Sequence, residues 1–286
     1  MKYLKCAIFI VLAILLQRFC HKQTDGFALR KILSELSFNP AWEVTALQAN
    51  ESIAIKKALN QPYRYLSKGA QSYVFASEDG LYVLKFFRHD HMRAELWHCL
   101  LTKEHRKERF ALGRSKLEKD FTSYKIAYET LQEETGLVYL HLNKTDNLHI
   151  KIPLYDKMGI QHTIDLDRME FFLQKKVDPF FPSLEKWIKE DNLLAAQQAL
   201  TELVCLLKRR FIKNIYDKDP DLNTNFGFLK GHPIQLDAGR FKHDPFYSNA
   251  EVYQREILRI TDNLKQWLDT HNEELSLHLQ KELNNL

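Results

Sequence analysis

The chain has 286 residues, is 45% hydrophobic and 27% charged, and carries a formal net charge of +4. These values are typical of an ordinary folded protein that buries a substantial core. Acidic residues are interleaved with the basic clusters at 88–93, 103–109 and 208–213, so we expect no nucleic-acid partner. The four cysteines include no Cys-x-x-Cys pair, which argues against a zinc site or a disulfide framework.

The N-terminal segment combines basic residues with an apolar run. Lys2 and Lys5 precede residues 6–16, which are all apolar, and a further basic stretch follows. This pattern is typical of a signal sequence, but a small-x-small cleavage site is missing. We therefore expect residues 1–22 to be an uncleaved single-pass membrane anchor. A cleaved signal of an exported protein and a buried core helix remain alternatives, and the flanking charges leave the orientation open.

Residues 23–60 are predicted to form a helical lead-in. Apolar residues from Phe27 to Leu36 recur at helical spacing, Asn39-Pro40 interrupts the pattern, and residues 53–59 resume it.

Residues 61–177 change to a pattern of strands with one inserted helix. Two glycine-containing turns, at Gly69 and Gly80, separate the first three strands. The predicted strands cover 63–66, 73–75, 81–87, 137–142, 149–154 and 169–177, and the polar helix covers 92–134.

Residues 178–286 are predicted to be mainly helical. Ser183 is the expected N-cap of the first helix. The predicted helices cover 184–190, 193–211 and 250–286, and two short strands cover 226–229 and 233–236. This order predicts an α+β fold of two lobes, with an N-lobe at 61–177 and a C-lobe at 178–286.

Two features of the predicted N-lobe suggest phosphate binding. Gly69 lies in the turn between the first two strands, where a glycine lets the backbone approach a ligand closely. Lys85 lies within the apolar run 83–87, where a cation needs an anionic partner.

The predicted C-lobe contains oxygen ligands in a suggestive order. The loop at 215–226 holds several aspartates and ends at Asn225, and Asp237-Ala238-Gly239 follows the next two strands. Oxygen donors suit Mg²⁺. The loop also has the initial spacing of a calcium-binding loop, but it lacks the glycine and the final glutamate that such loops require.

Together these residues resemble the protein-kinase-like superfamily between Tyr63 and Gly239. Within this superfamily the chain resembles a truncated bacterial type that is similar to lipopolysaccharide-core sugar kinases. The resemblance matches the following residues to the glycine-rich loop, the phosphate-binding lysine and the two metal ligands: Gly69, Ser72 and Val74; Lys85; Asn225 and Asp237.

The resemblance implies a small antiparallel-sheet N-lobe, a reduced helical C-lobe, and ATP and Mg²⁺ as cofactors. The implied reaction is phosphoryl transfer to a hydroxyl of a small-molecule, sugar or lipid-linked acceptor. Glu118 is the expected partner of Lys85, with Glu95 and Glu129 as alternatives. Asp217 is the expected catalytic aspartate and Asp219 its rival, since neither has the usual five-residue spacing to the asparagine.

A membrane-tethered pseudokinase, a binding module that retains the fold, is the alternative. Serines replace the outer glycines of the loop, and Ile215-Tyr216 replaces the usual His-Arg before the catalytic aspartate. The retained lysine, asparagine and metal-binding aspartate favour the enzyme. The sequence does not identify the acceptor.

Overall fold

The computed structural model of the chain describes residues 2–44, 49–90 and 102–286. In chain order, the helices are α1 (Lys2–Thr24), α2 (Ala49–Leu59), α3 (Lys103–Thr130), α4 (Gln132–Thr135), α5 (Phe180–Lys189), α6 (Leu193–Ile212), α7 (Leu222–Asn225), α8 (Ala250–His271) and α9 (Glu273–Asn284). The strands are β1 (Tyr63–Lys68), β2 (Ser72–Ser77), β3 (Tyr82–Phe87), β4 (Leu137–His141), β5 (Lys151–Tyr155), β6 (Gln161–Asp165), β7 (Phe171–Lys175), β8 (Asp178–Pro179), β9 (Ile215–Asp217), β10 (Phe226–Leu229), β11 (His232–Gln235) and β12 (Phe241–His243).

The chain divides into two compact units. The first comprises Met1–Leu117 and His141–Leu173, and the second comprises Glu118–Leu140 and Gln174–Leu286. Most strands of the main sheet belong to the first unit, and the second is mainly helical. This architecture confirms the predicted α+β class.

The first unit is built around a mixed β-sheet. Its strands are hydrogen-bonded in the order β7-β3-β2-β1-β5-β6. Neighbours from β1 to β3 are antiparallel, whereas β1 and β5 are parallel. The sequence predicts an antiparallel sheet and no strand at β6. The parallel pair is possible because more than eighty residues separate β1 from β5, so no tight turn constrains them.

Residues 25–44 do not form the α-helix expected for the first half of the lead-in; only α2 agrees with that prediction. Asp25 and Gly26 have positive φ values of 49° and 69°, which end α1. Phe27 is buried, and the Tyr73 hydroxyl donates a hydrogen bond of 2.9 Å to the Gly26 carbonyl. Packing on the sheet therefore overrides the helical spacing of this segment.

Helix α1 contains the predicted anchor. Its side chains are exposed throughout residues 8–20, and most of them are apolar. Across the described ranges, none of the helices combines the length and the apolar character needed to cross a bilayer.

Helices α5, α6, α8 and α9 enclose the hydrophobic core of the second unit. Strand β10 pairs with β11 and β8, and β9 pairs with β12. The sequence predicts Ser183 as the N-cap of α5, and this prediction is wrong. Instead, α5 begins at Phe180 with Pro179 as its N-cap, and the Ser183 hydroxyl donates to the Pro179 carbonyl at 2.7 Å.

Gly227 allows strand β10 to lie close to the chain beside it. A Cβ atom at this position would lie 2.4 Å from the Asp178 carbonyl oxygen and 2.7 Å from Cγ2 of Val177. No side chain larger than hydrogen fits there without a backbone shift. The absence of a side chain therefore sets the position of β10 and of Asn225 directly before it.

In the first unit, Asp167 organises the loop between β4 and β5. Its Oδ1 accepts hydrogen bonds from the Thr145 hydroxyl at 2.6 Å and from the backbone N–H groups of Asn147 at 3.1 Å and Leu148 at 3.0 Å. Its Oδ2 accepts from the His149 N–H at 2.8 Å. Burial acts to raise the pKa of Asp167, but these hydrogen bonds outweigh it and lower the pKa overall.

We expect Asp167→Asn to lower the free energy of unfolding by about 2 kcal/mol at pH 7, because the amide replaces one acceptor oxygen with a donor. An aspartate with a lowered folded-state pKa stabilises the fold above its unfolded pKa of about 3.9, and this contribution is lost as the pH falls through the folded-state value. Urea unfolding at pH 7, 5 and 3 should therefore show a difference that shrinks at pH 3. The exposed Asp146→Asn is the matched control, and a difference independent of pH would contradict the assignment.

Candidate functional site

The turn between β1 and β2 contains the glycine that the sequence singles out. The Gly69 N–H donates to the Ser72 carbonyl at 2.9 Å and closes the turn. A Cβ atom added at Gly69 would meet nothing closer than that carbonyl oxygen, at 3.6 Å. The chain itself therefore does not require glycine at this position. The space that it leaves fits the close approach of a phosphate group.

Arg88, directly after β3, holds this turn from one side. Its Nη1 donates to the carbonyl oxygens of Gly69 at 3.3 Å and Ala70 at 3.2 Å, and its backbone N–H donates to Gln71 at 2.9 Å. Its Nε and Nη2 donate to the two carboxylate oxygens of Asp90 at 3.1 and 2.7 Å. Burial acts to lower the pKa of Arg88, but Asp90 outweighs it and raises the pKa. Arg88 is not among the predicted site residues, because it lies in a basic cluster that was considered only as a contact for nucleic acid.

Lys85 lies on β3 opposite Val74 of β2, where the sequence predicts a strand. Its chain neighbours Leu84 and Phe86 are fully buried, and Lys85 is half-buried. Its Nζ lies 5.4 Å from the centroid of the Phe172 ring, within cation–π range. The predicted apolar setting of the lysine is therefore confirmed, and its phosphate-binding role stays a prediction.

Of the three glutamates considered as partners of Lys85, two lie on α3. Glu118 and Glu129 lie on α3, and Glu95 lies outside the described residues. Glu129 lies 3.8 Å from Lys125 in an ion pair along its own helix. Glu118 remains the predicted partner.

In the second unit, the β10–β11 hairpin brings two candidate metal ligands into neighbouring positions. Phe226 pairs with Gln235, and the Leu236 N–H donates to the Asn225 carbonyl at 2.7 Å. Asn225 therefore lies beside Leu236, one residue before Asp237. Antiparallel pairing explains how two residues twelve positions apart in the chain become neighbours.

Helix α3 holds the segment that carries Asp237. The Tyr124 hydroxyl and the Gly239 N–H donate to Oδ1 of Asp237 at 3.2 and 2.9 Å. The Ser123 hydroxyl lies 2.7 Å from the Ala238 carbonyl oxygen. Burial and the neighbouring carboxylate raise the pKa of Tyr124, so this phenol stays protonated as a donor. These contacts set the orientation of the carboxylate.

The Asn225 side chain is tied to the aspartate-rich loop. It is buried, and its Nδ2 donates to the backbone carbonyl of Asp219 at 2.6 Å. Its Oδ1 accepts from the Thr224 hydroxyl at 3.1 Å. The same amide therefore links the start of the hairpin to the loop that contains Asp219.

The donor set of Asn225 and Asp237 fits Mg²⁺. This ion takes oxygen ligands and commonly uses one or two protein groups together with phosphates and water. Over residues 2–44, 49–90 and 102–286, no group of three or more His, Cys, Asp and Glu side chains could hold a metal.

Asp217 is buried, and its carboxylate is engaged inside the protein. Its Oδ2 accepts a hydrogen bond of 2.6 Å from Nε2 of Gln235, and its Oδ1 accepts one of 2.9 Å from the Asp219 N–H. The Arg210 Nη1 lies 3.7 Å from Oδ2. Burial raises the pKa of Asp217 although Arg210 acts to lower it. Both oxygens therefore have internal partners.

Arg210 and Gln235 complete this buried group, and neither is among the predicted site residues. Nη1 of Arg210 donates to Oε1 of Gln235 at 2.7 Å, and only 1% of the Arg210 side chain is exposed. Burial lowers the pKa of Arg210, and Asp217 partly offsets this effect. Arg210 is one of three consecutive basic residues, so its burial has no sequence signal. Gln235, a polar residue between the apolar Ile234 and Leu236, does provide one.

Asp219 has a different environment, because its side chain is exposed. It lines a pocket of about 280 Å³ together with Phe181 of α5 and Arg259 and Asn263 of α8. Nη2 of Arg259 donates to Glu256 at 2.8 Å. An exposed carboxylate in such a pocket can accept a hydrogen bond from a ligand hydroxyl.

Comparisons with known proteins give a likeness at the level of structure. No family model matches the chain, and no curated protein matches it at a significant level. The chain is similar to a crystal structure of WbdD at 15% identity and a TM-score of 0.39, covering 80% of this chain and 47% of that chain. A co-crystal structure of WbdD with a kinase inhibitor is similar at 13% identity and a TM-score of 0.36, covering 77% of this chain and 45% of that chain. A further structure, described as the bifunctional kinase-methyltransferase WbdD, is similar at 15% identity and a TM-score of 0.36, covering 76% of this chain and 43% of that chain. The chain thus spans less than half the length of these chains.

We expect Arg210→Met to lower the free energy of unfolding by about 3–5 kcal/mol, because it leaves the Asp217 carboxylate buried without its cation. The double variant Arg210→Met/Asp217→Asn should recover part of this loss. Urea unfolding of the two single variants and the double variant measures the coupling. Arg209→Met, at a neighbouring exposed position, should change stability by less than about 1 kcal/mol, because its partner Glu134 keeps the ion pair with Lys213. Strictly additive effects would show that the two residues are not coupled.

Proposed function

We propose that the protein is an ATP- and Mg²⁺-dependent phosphotransferase of the protein-kinase-like type, acting on a hydroxyl of a small-molecule, sugar or lipid-linked acceptor. The observation that carries this proposal is the β10–β11 hairpin, which sets Asn225 next to the Asp237 segment and ties it to the Asp219 loop. The N-terminal segment would associate the enzyme with a membrane. Cell fractionation with and without residues 2–22 tests that association.

The residues of each unit receive separate roles. In the first unit, the Gly69 turn with Ser72 and Val74 would contact the phosphates, and Lys85 would pair with their charge. In the second unit, Asn225 and Asp237 would hold Mg²⁺. When bound, the nucleotide supplies the phosphoryl group and the metal ion neutralises the charge that develops during transfer.

We assign the acceptor-orienting role to Asp219 rather than to Asp217. A general base must lie within hydrogen-bond reach of the hydroxyl that it activates. Asp219 is exposed in an open pocket, whereas both carboxylate oxygens of Asp217 have internal partners. Asp217 is a positioning residue on this assignment, because it accepts a hydrogen bond from the backbone N–H of Asp219.

The pseudokinase alternative has less support. It requires neither the oriented carboxylate of Asp237 nor an exposed aspartate in the neighbouring loop, and the chain has both. It predicts nucleotide binding without phosphoryl transfer, so the binding and transfer measurements distinguish the two functions.

Mg·ATP should stabilise the protein against heat, because a ligand at one hundred times its dissociation constant contributes about 2.7 kcal/mol to the folded state. Lys85→Ala should weaken this effect through the lost phosphate contact, and Asp237→Ala through the lost metal ligand. Thermal unfolding with ATP, with and without Mg²⁺, measures both. Lys151→Ala, at an exposed lysine of β5, is the control. No shift in the unmutated protein would rule out the proposed function.

Asp219→Asn should lower phosphoryl transfer by about 10²–10⁴-fold, because the amide cannot accept the proton of the acceptor hydroxyl. Binding of Mg·ATP should stay unchanged. The assay is transfer of labelled phosphate from ATP to a carbohydrate and lipid extract of bacterial envelopes. Asp262→Asn, an exposed position of α8, serves as the control. Full transfer by Asp219→Asn, with loss only in a folded Asp217→Asn protein, would reverse the assignment.

A further inference from the structure

We propose that Arg88 is a positioning residue that orients the peptide groups of the Gly69-Ala70-Gln71 turn for binding nucleotide phosphates. This inference rests on the proposed function, and it assigns a role to a residue outside the motifs that suggested that function. The starting observation is that one residue collects three consecutive carbonyl groups of the turn.

The contacts of Arg88 set the direction of these peptides. Its Nη1 lies 3.3 Å from the Gly69 oxygen and 3.2 Å from the Ala70 oxygen, and its backbone nitrogen lies 2.9 Å from the Gln71 oxygen. In a planar trans peptide, the C=O and the following N–H point in opposite directions. The N–H groups of Ala70 and Gln71 therefore point away from Arg88.

This orientation matters for an anionic ligand. Successive backbone N–H groups that point the same way form an anion-binding concavity, whereas carbonyl oxygens repel a phosphate. Gly69 has no side chain to restrict its backbone, so the turn by itself would sample other peptide orientations. The guanidinium removes this freedom by attracting the carbonyl oxygens to the opposite side. The Arg88 guanidinium therefore fixes peptide orientations that a turn with only one glycine would not fix by itself.

Arg88 is in turn fixed by its surroundings. Only 12% of its side chain is exposed, and both carboxylate oxygens of Asp90 accept its hydrogen bonds. Lys31, from the segment after α1, lies 3.9 Å from Asp90. Lys68, at the end of β1, is close enough that burial first, and then the charges of Arg88 and Lys31, lower its pKa. Arg88, Lys31 and Lys68 outnumber the Asp90 carboxylate among these side chains, and a net positive charge beside the turn suits a phosphate.

The experiment compares ligands that differ only in their phosphates. Mg·ATP is titrated by calorimetry and adenosine by ligand-observed NMR, with the full chain and the variants Arg88→Met and Arg88→Lys. Lysine keeps the charge but cannot reproduce the planar set of donors that contacts two carbonyls and Asp90 together. Arg64→Met, which removes an exposed arginine of β1, is the matched control.

We expect both Arg88 variants to bind Mg·ATP about tenfold more weakly, the loss expected for one charge-assisted hydrogen bond, with unchanged affinity for adenosine. The Arg64 variant should bind both ligands as the unmutated chain does. If Arg88→Met does not fold, Arg88→Lys decides the outcome. Unchanged Mg·ATP affinity in Arg88→Lys would overturn the positioning role, and an equal loss for ATP and adenosine would show a purely structural one. No binding of Mg·ATP by the unmutated chain would instead contradict the proposed function itself.

Discussion

A buried contact between Arg210, Gln235 and Asp217 underlies the arrangement of the second unit. Removing an ion from water costs several kcal/mol, so a guanidinium and a carboxylate are stable inside a protein only with well-placed partners. Gln235 provides one such partner to each ion, because its amide accepts from Nη1 of Arg210 and donates to Oδ2 of Asp217. The contact joins α6, β9 and β11, the elements that lead into the candidate site.

This buried group orders the loop that contains Asp219 and the strand that leads to Asp237. Asp217 accepts from the backbone of Asp219 and so orders the start of the loop, and Gln235 stands on β11 two residues before Asp237. Asn225 then connects the loop to the hairpin. Groups that are removed from water therefore hold the backbone that carries the exposed carboxylate of Asp219 and the oriented carboxylate of Asp237.

In the first unit, ionised side chains also hold loop backbones by hydrogen bonds. An ionised side chain with little exposure gathers several backbone groups of one loop: Arg88 collects carbonyl oxygens, and Asp167 collects N–H groups. Hydrogen bonds to ionised groups are stronger than those between neutral groups, so a single side chain can order a whole turn. In the Gly69 turn, this order is the basis of the proposed role in phosphate binding. In the loop of Asp167, it has a consequence for stability.

The local pattern of the sequence was sufficient to predict strands β1–β3, helix α6 and the two short strands β10 and β11, and with them the strand position of Lys85. These features depend on residues that are close in the chain, so apolar periodicity and turn residues reveal them. Only the tertiary structure decided that residues 25–44 pack without an α-helix, that β1 and β5 are parallel, and that Asp217 is buried while Asp219 is exposed. The physical reason is that burial and pairing depend on distant residues. Two aspartates two positions apart look alike in the sequence, and Arg210 and Gln235 distinguish them only in the folded chain.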